Sequence, residues 1–147
     1  MPNTLILKGH ILHTPSPEQF VSIPEGYIVA VDGSVVYCGE SLPSMYEGLP
    51  AVEYRNQLII PGFVDTHAHA PQYCNRGLGM DKELLPWLET YTFPEESKFK
   101  NTEYARLVYS AFVRDLWRHG TTRSILFGTI HKDSTLVLME LLQQAGL

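Results

Sequence analysis

The sequence predicts an α/β chain in two parts: mostly β structure over residues 1–60, then two consecutive βα units over residues 61–147. Three observations carry this. At Pro61 the chain changes character, from short alternating segments split by turn residues to apolar runs followed by amphipathic stretches. Asp32-Gly33 stands between two β-rich runs, a strong hairpin signal because both residues tolerate positive φ. Residues 102–119 repeat apolar side chains at spacings of three and four, as one face of a helix does.

The elements follow in order. Residues 5–14 and 26–31 read as strands, and 35–38 as the strand after the hairpin. Residues 41–50 hold Pro43, Gly48 and Pro50 and read as a loop. Residues 52–55 are a further strand, followed by Asn56 as a turn. The apolar run 58–66 has Pro61 near its middle, so a buried strand is expected to start at about Gly62. Residues 81–91 suggest a short helix with Asp81 as N-cap and Pro86 as its weak point. Gly77-Leu78-Gly79 lacks a third glycine and reads as a turn, not a phosphate loop. In the helix over 102–119 the apolar face is Tyr104, Leu107, Val108, Ala111, Phe112 and Leu116, with Thr102 as N-cap and Gly120 as stop. A second β run covers 121–129. A last helix covers 135–145, capped by Asp133 or Ser134 and stopped by Gly146. Two βα units in succession imply a parallel sheet.

Composition excludes several classes. With 147 residues, 44% hydrophobic and 18% charged, the chain is neither disordered nor fibrous. It has no apolar run long enough to span a bilayer, and its first residues lack the basic and small-residue signals of a secretory leader. Cys38 and Cys74 form no motif. A cytoplasmic protein with free thiols and no membrane contact is the expectation. The formal charge is −5, divided as −4 over residues 1–60 and −1 over 61–147. Neither part carries the basic stripe of a nucleic-acid binder. A small molecule in a pocket needs no such surface.

The chemistry concentrates in Asp65-Thr66-His67-Ala68-His69. Residues two apart on a strand share a face, so His67 and His69 can offer a ring nitrogen each to one ion; on a helix the same spacing would send them apart. Asp65 shares that face and is a candidate for holding an imidazole in its ligating tautomer. Zinc is the expected ion, and iron also accepts imidazole. Two imidazoles are not a complete catalytic site, and no Asp or Glu stands out as a third ligand. His10 and His13 lie in turn-rich sequence, and His119 complements a helix C-terminus. His131 follows the second β run, where it either lines a pocket or simply opens the loop to the next helix. The H-x-E…P-C-x-x-C signature of one class of zinc enzymes is absent.

The run Pro61-Gly62-Phe63-Val64-Asp65-Thr66-His67-Ala68-His69 resembles the first barrel strand of the amidohydrolase superfamily. His69-Ala70-Pro71-Gln72-Tyr73, the block from Leu84 to Glu95 with Trp87 and Thr92-Phe93-Pro94, Gly120-Thr121-Thr122, and residues 129–134 are similar to the guanine deaminases of that superfamily. The resemblance runs from Pro61 to the end and is looser before it. It implies that residues 1–60 are the N-terminal part of a β-sandwich-like domain, and that 61–147 are the first two βα units of a truncated TIM-type (β/α)8 barrel. It implies a zinc-dependent hydrolytic deamination of guanine to xanthine and ammonia in purine catabolism, with a homodimeric parent enzyme. His67 and His69 would be two metal ligands. Gln72 would meet the purine, with Ala70 and Pro71 flanking it and Asp65, Trp87 and His131 nearby. The family's later His, Glu and Asp residues lie beyond Leu147, so the isolated chain is expected to lack deaminase activity. Another nucleobase or nucleoside deaminase of the superfamily, a group that Arg76-Gly77 also suggests, is one alternative. A non-catalytic β-rich binding module with an incidental H-x-H is the other.

Overall fold

A computed structural model describes residues 3–147. The chain divides into two compact units, Met1–Pro61 and Gly62–Leu147.

The first unit is one mixed sheet of β1 (Thr4–Ser16), β2 (Gln19–Val31), β3 (Ser34–Gly39) and β4 (Ala51–Ile59), in the order β3-β2-β1-β4. β1 and β4 are parallel and the other pairs antiparallel. The hairpin at Asp32-Gly33 forms as expected, with φ of 50° and 82° at its two residues. The Asp32 carboxylate accepts the Asn3 backbone N–H at 2.8 Å and ties the start of β1 to the turn. β1 and β2 are longer than their sequence suggests. Pairing of Ile11 with Ile23 carries both strands into turn-rich sequence, at the cost of irregularities after Gly9 and His13. These irregularities keep Ile6, Ile11, Ile23 and Val29 on the buried side. Asn56 does not end its strand. It takes φ of 55° inside β4, at the point where the register against β1 shifts, and the strand resumes to Ile59.

The second unit pairs β5 (Phe63–His69) in parallel with β6 (Thr121–Phe127). Between them run a 3-10 turn (Ala70–Asn75), α1 (Leu84–Trp87), a π turn (Leu88–Thr92), α2 (Phe93–Ser97), a 3-10 turn (Lys98–Lys100) and α3 (Thr102–Arg118). α4 (Lys132–Ala145) follows β6. β5 is not a buried strand. Phe63 and Val64 are somewhat more than half exposed, and β6 is the single strand partner of β5 among the described residues.

The helix starts differ from the sequence reading for reasons of capping. Asn101, not Thr102, caps α3, its side chain accepting from the N–H groups of Glu103 (2.8 Å) and Tyr104 (3.3 Å). α1 begins after Glu83, not Asp81, and Pro86 falls in its first turn, where no N–H is needed. α4 begins after His131. Ser134 caps nothing: it is buried and gives its hydroxyl to the Phe99 carbonyl. The α3 stripe is rotated from the expected one. Ala105, Val108, Tyr109, Phe112, Val113 and Leu116 face the core with Phe99 and Leu138, while Leu107 is 71% exposed. Each large side chain buried there contributes roughly 1.5–3 kcal/mol. Gly120 and Gly146 end α3 and α4 with φ of 76°, as their positions predict. Among the described residues no helix is long and apolar enough to cross a membrane.

Candidate metal centre

β5 carries Asp65, His67 and His69 on one face, and the last of these opens the 3-10 turn. The register against β6 slips between Asp65 and Ala68: three steps along β5 match two along β6. This bulge takes the His67 N–H out of the ladder, and Asp65 Oδ1 accepts it at 3.0 Å. Asp65 therefore supports β5 through the backbone and makes no hydrogen bond to an imidazole among the described residues, contrary to the expectation for it.

The two rings converge. His67 Nε2 and His69 Nε2 lie 3.2 Å apart. The separation is that of an N–H···N hydrogen bond between the rings, and it also matches the roughly 3.3 Å between two atoms each about 2.0–2.1 Å from one tetrahedral ion. Phe127, at the end of β6 and opposite His69 in the register, fixes the rings from one side. It stacks on His69 at 4.6 Å with planes 11° apart and meets His67 at 4.9 Å. Among the described residues no group of three or more His, Cys, Asp or Glu is placed to hold a metal.

Gln72 stands on the 3-10 turn, with its Nε2 3.4 Å from His69 Nδ1 and 3.2 Å from Glu96 Oε1. His69, Gln72, Tyr73, Leu78, Met80 and Trp87 line a cleft of about 350 Å3. Trp87 donates its indole N–H to the Leu78 carbonyl at 3.1 Å, and Asn75 donates to the Tyr91 carbonyl at 3.0 Å. These two bonds hold the turn through Gly77 and Gly79 against α1 and the π turn. Ala70 and Pro71 do not line this cleft. Both are buried, Ala70 in the core beside Phe99, and they anchor the turn that carries Gln72. His131 does not reach the histidine pair either. It lines a second cleft of about 410 Å3 with Phe93, Glu96, Lys100 and Ile130.

The charged groups around the turn are mutually paired. Tyr73 donates its hydroxyl to Asp115, holding that carboxyl below the usual range, with Arg76 and Arg118 acting in the same sense. The same bond raises the Tyr73 phenol. Burial alone would push Glu95 up, but Lys98 and the Tyr104 hydroxyl outweigh it and hold the carboxyl down. In the first unit a cavity of about 550 Å3 is lined by Lys8, Glu25, Glu53 and Arg55, and its charges likewise satisfy one another.

Two residues of the site escape the sequence reading. Glu96 reaches Gln72 across 24 positions, which no spacing rule reveals. Phe127 had a signal: in a parallel pair, the end of the second β run lies beside the end of the first.

Comparison with known proteins places these features. The profile of the amidohydrolase family matches residues 58–147, which include β5, the histidine pair and helices α1 to α4. The chain belongs to the amidohydrolase family. It is 50% identical to a guanine deaminase of Dictyostelium discoideum over 161 residues, covering 96% of this chain and 35% of that protein. It is 47% identical to the guanine deaminase of Mus musculus over 91 residues, covering 62% of this chain and 20% of that protein. Among solved structures, guanine deaminase from C. acetobutylicum, with guanine bound in its active site, superposes with a TM-score of 0.90 at 48% identity. That superposition covers 99% of this chain and 35% of the other. The chain thus spans about a third of the length of the Dictyostelium relative.

Proposed function

We propose that the protein carrying this chain is a guanine deaminase, a metal-dependent hydrolase that turns guanine and water into xanthine and ammonia in purine catabolism. The observation that carries the reading is the histidine pair, its Nε2 atoms 3.2 Å apart at the end of β5, with Gln72 in the adjoining cleft. The 50% identity to a guanine deaminase supports guanine as the substrate.

The donor set fits a divalent ion. Two neutral imidazoles suit zinc, and also iron. Such an ion, when bound, lowers the pKa of a water so that a nucleophile is available near neutral pH. His67 and His69 would hold it. Asp65 keeps the bulge that aims them, and Phe127 fixes their planes. Gln72 would meet the purine edge, since an amide offers both donor and acceptor as guanine does. Trp87 shapes the cleft wall beside it. The remaining ligands and the proton-transfer groups are not among these residues, so the 147-residue chain alone is expected to have no significant deaminase activity. In this reading the first unit is part of a β-sandwich-like domain, and the second is the opening two βα units of a (β/α)8 barrel. The whole enzyme is a cytoplasmic homodimer acting on a small purine, with no nucleic-acid or membrane partner.

The test uses the complete gene product that carries this sequence. Purified without chelator, it should contain about one divalent ion per chain and form xanthine from guanine, and His67→Ala or His69→Ala should remove both properties. Product from cytosine or an adenosine derivative, but not from guanine, would transfer the reading to another deaminase of the family. A metal-free protein indifferent to His67→Ala would point to a binding module.

A further inference from the structure

Gln72 is a side chain whose chemistry depends on which way its amide faces. We infer that Glu96 is a positioning residue that fixes the sense of the Gln72 carboxamide, and so the donor–acceptor pattern that Gln72 offers in the cleft. The inference deepens the proposed function, since it rests on Gln72 meeting the purine there.

The argument is one of hydrogen-bond inventory. Glu96 Oε1 is 3.2 Å from Gln72 Nε2. An ionised carboxylate has no proton to give, so the group facing it must be a donor. The NH2 side of the amide is therefore turned to Glu96, and the carbonyl oxygen is turned away from it. Among the described residues that oxygen has no hydrogen-bond partner, while the nitrogen faces Glu96 Oε1; His69 Nδ1, 3.4 Å away, carries the ring proton when Nε2 is the ligating atom and then does not accept from it, so Glu96 is the group that sets the sense. Both Gln72 and Glu96 are half-buried, which strengthens the bond over one in open water. Glu96 is also free for this task. Its neighbour Glu95 takes Lys98 at 2.6 Å and the Tyr104 hydroxyl, whereas Glu96 makes no ion pair among the described residues.

The backbone explains how adjacent acids come to do different things. The π turn at Leu88–Thr92 directly precedes α2. A π turn inserts one residue into the helical path, which rotates everything after it by about 100° relative to a continuous α-helix. Glu95 then faces α3 and Glu96 faces the turn that holds Gln72, 24 residues earlier.

Glu96→Gln is the informative substitution. It keeps the size but can donate as well as accept, so both senses of Gln72 become permissible. In the complete gene product, Glu96→Gln should raise KM for guanine about fivefold and leave kcat within about twofold, the pattern of lost uniform binding by one hydrogen bond. In a Gln72→Ala background the same substitution should change KM by less than about twofold. An equal effect in both backgrounds would show Glu96 to be merely structural and overturn the inference. A second readout needs no guanine: in the 15N-labelled complete gene product, the two Nε2 protons of Gln72 should be separated by more than an ordinary primary amide pair and return to the ordinary separation in Glu96→Ala. An ordinary separation in the parent protein would also overturn it. If the protons behave as expected but Gln72→Ala leaves KM unchanged, the positioning stands and the purine-contact reading of Gln72 falls.

Discussion

Phe127 lies flat against His69, ring centroids 4.6 Å apart and planes within 11°. The contact joins the ends of two parallel strands, and it touches His67 as well at 4.9 Å. A ring free to rotate about χ2 spends part of its time with Nε2 turned away from an ion. The stack holds the plane of the ring, which narrows that freedom, and aromatic pairs of this kind are worth about 0.5–1.5 kcal/mol beyond their buried area. Phe127→Ala should therefore weaken metal affinity about threefold to tenfold without removing a ligand. Titration of the metal-stripped gene product with zinc would read this, and an unchanged affinity would assign Phe127 to packing alone.

Asp65 gives a prediction that separates two roles for one carboxylate. Its Oδ1 accepts the His67 N–H at the bulge. An acceptor oxygen is needed there, and a negative charge is not. Asp65→Asn should keep metal affinity close to that of the parent, whereas Asp65→Ala leaves a strand N–H unpaired and should lower it. Were Asn as damaging as Ala, the charge itself would be acting, as in the imidazole-holding role that the sequence suggested.

What was legible in the sequence was local. Asp32-Gly33 encodes its hairpin within two residues, and the H-x-H spacing encodes convergence once the segment is known to be extended. The misreadings arise where a tertiary partner decides. Leu107 fits the helical period as well as Tyr109 does, and only the docking of α3 on Phe99 and Leu138 buries one and exposes the other. Ser134 has the chemistry of a cap but is claimed by the Phe99 carbonyl, 35 positions away. Glu96 and Glu95 are indistinguishable in sequence, and the π turn before them assigns their partners.

The Glu95 cluster makes stability depend on acid. Burial opposes the ionised form, but Lys98 at 2.6 Å and the Tyr104 hydroxyl prevail, so the folded carboxyl titrates below its ordinary value of 4.5. A depressed folded value means that the stabilisation is fully present above about pH 5 and is lost as pH falls through the folded value. Asp115, held down by Tyr73 and then by Arg76, acts in the same direction. Melting temperature should be flat from neutral pH to about pH 5 and decline below it. Glu95→Gln should melt lower at neutral pH and show a shallower decline, and an undiminished slope would place the acid sensitivity elsewhere.

Tyr109 and Tyr104 lie on the same helix and should respond oppositely to loss of their hydroxyls. The Tyr104 hydroxyl donates to Glu95, a charged acceptor in a largely buried setting. Tyr104→Phe forfeits that bond and leaves the carboxylate with less compensation, so it should destabilise. Tyr109 is fully buried, and its hydroxyl has no hydrogen-bond partner among the described residues. Burial also raises its phenol far above the ordinary range, so it stays neutral and gains nothing from ionising. An unpaired buried hydroxyl costs about 1–3 kcal/mol, and the ring alone supplies the packing against Phe99 at 4.9 Å. Tyr109→Phe should raise the melting temperature by about 2–6 °C while Tyr104→Phe lowers it. Calorimetry of the two variants beside the parent decides the matter: a destabilised Tyr109→Phe would mean that the hydroxyl finds a partner in solution, and Glu96, whose charge already bears on this phenol, is the acceptor to test by repeating the substitution in Glu96→Ala.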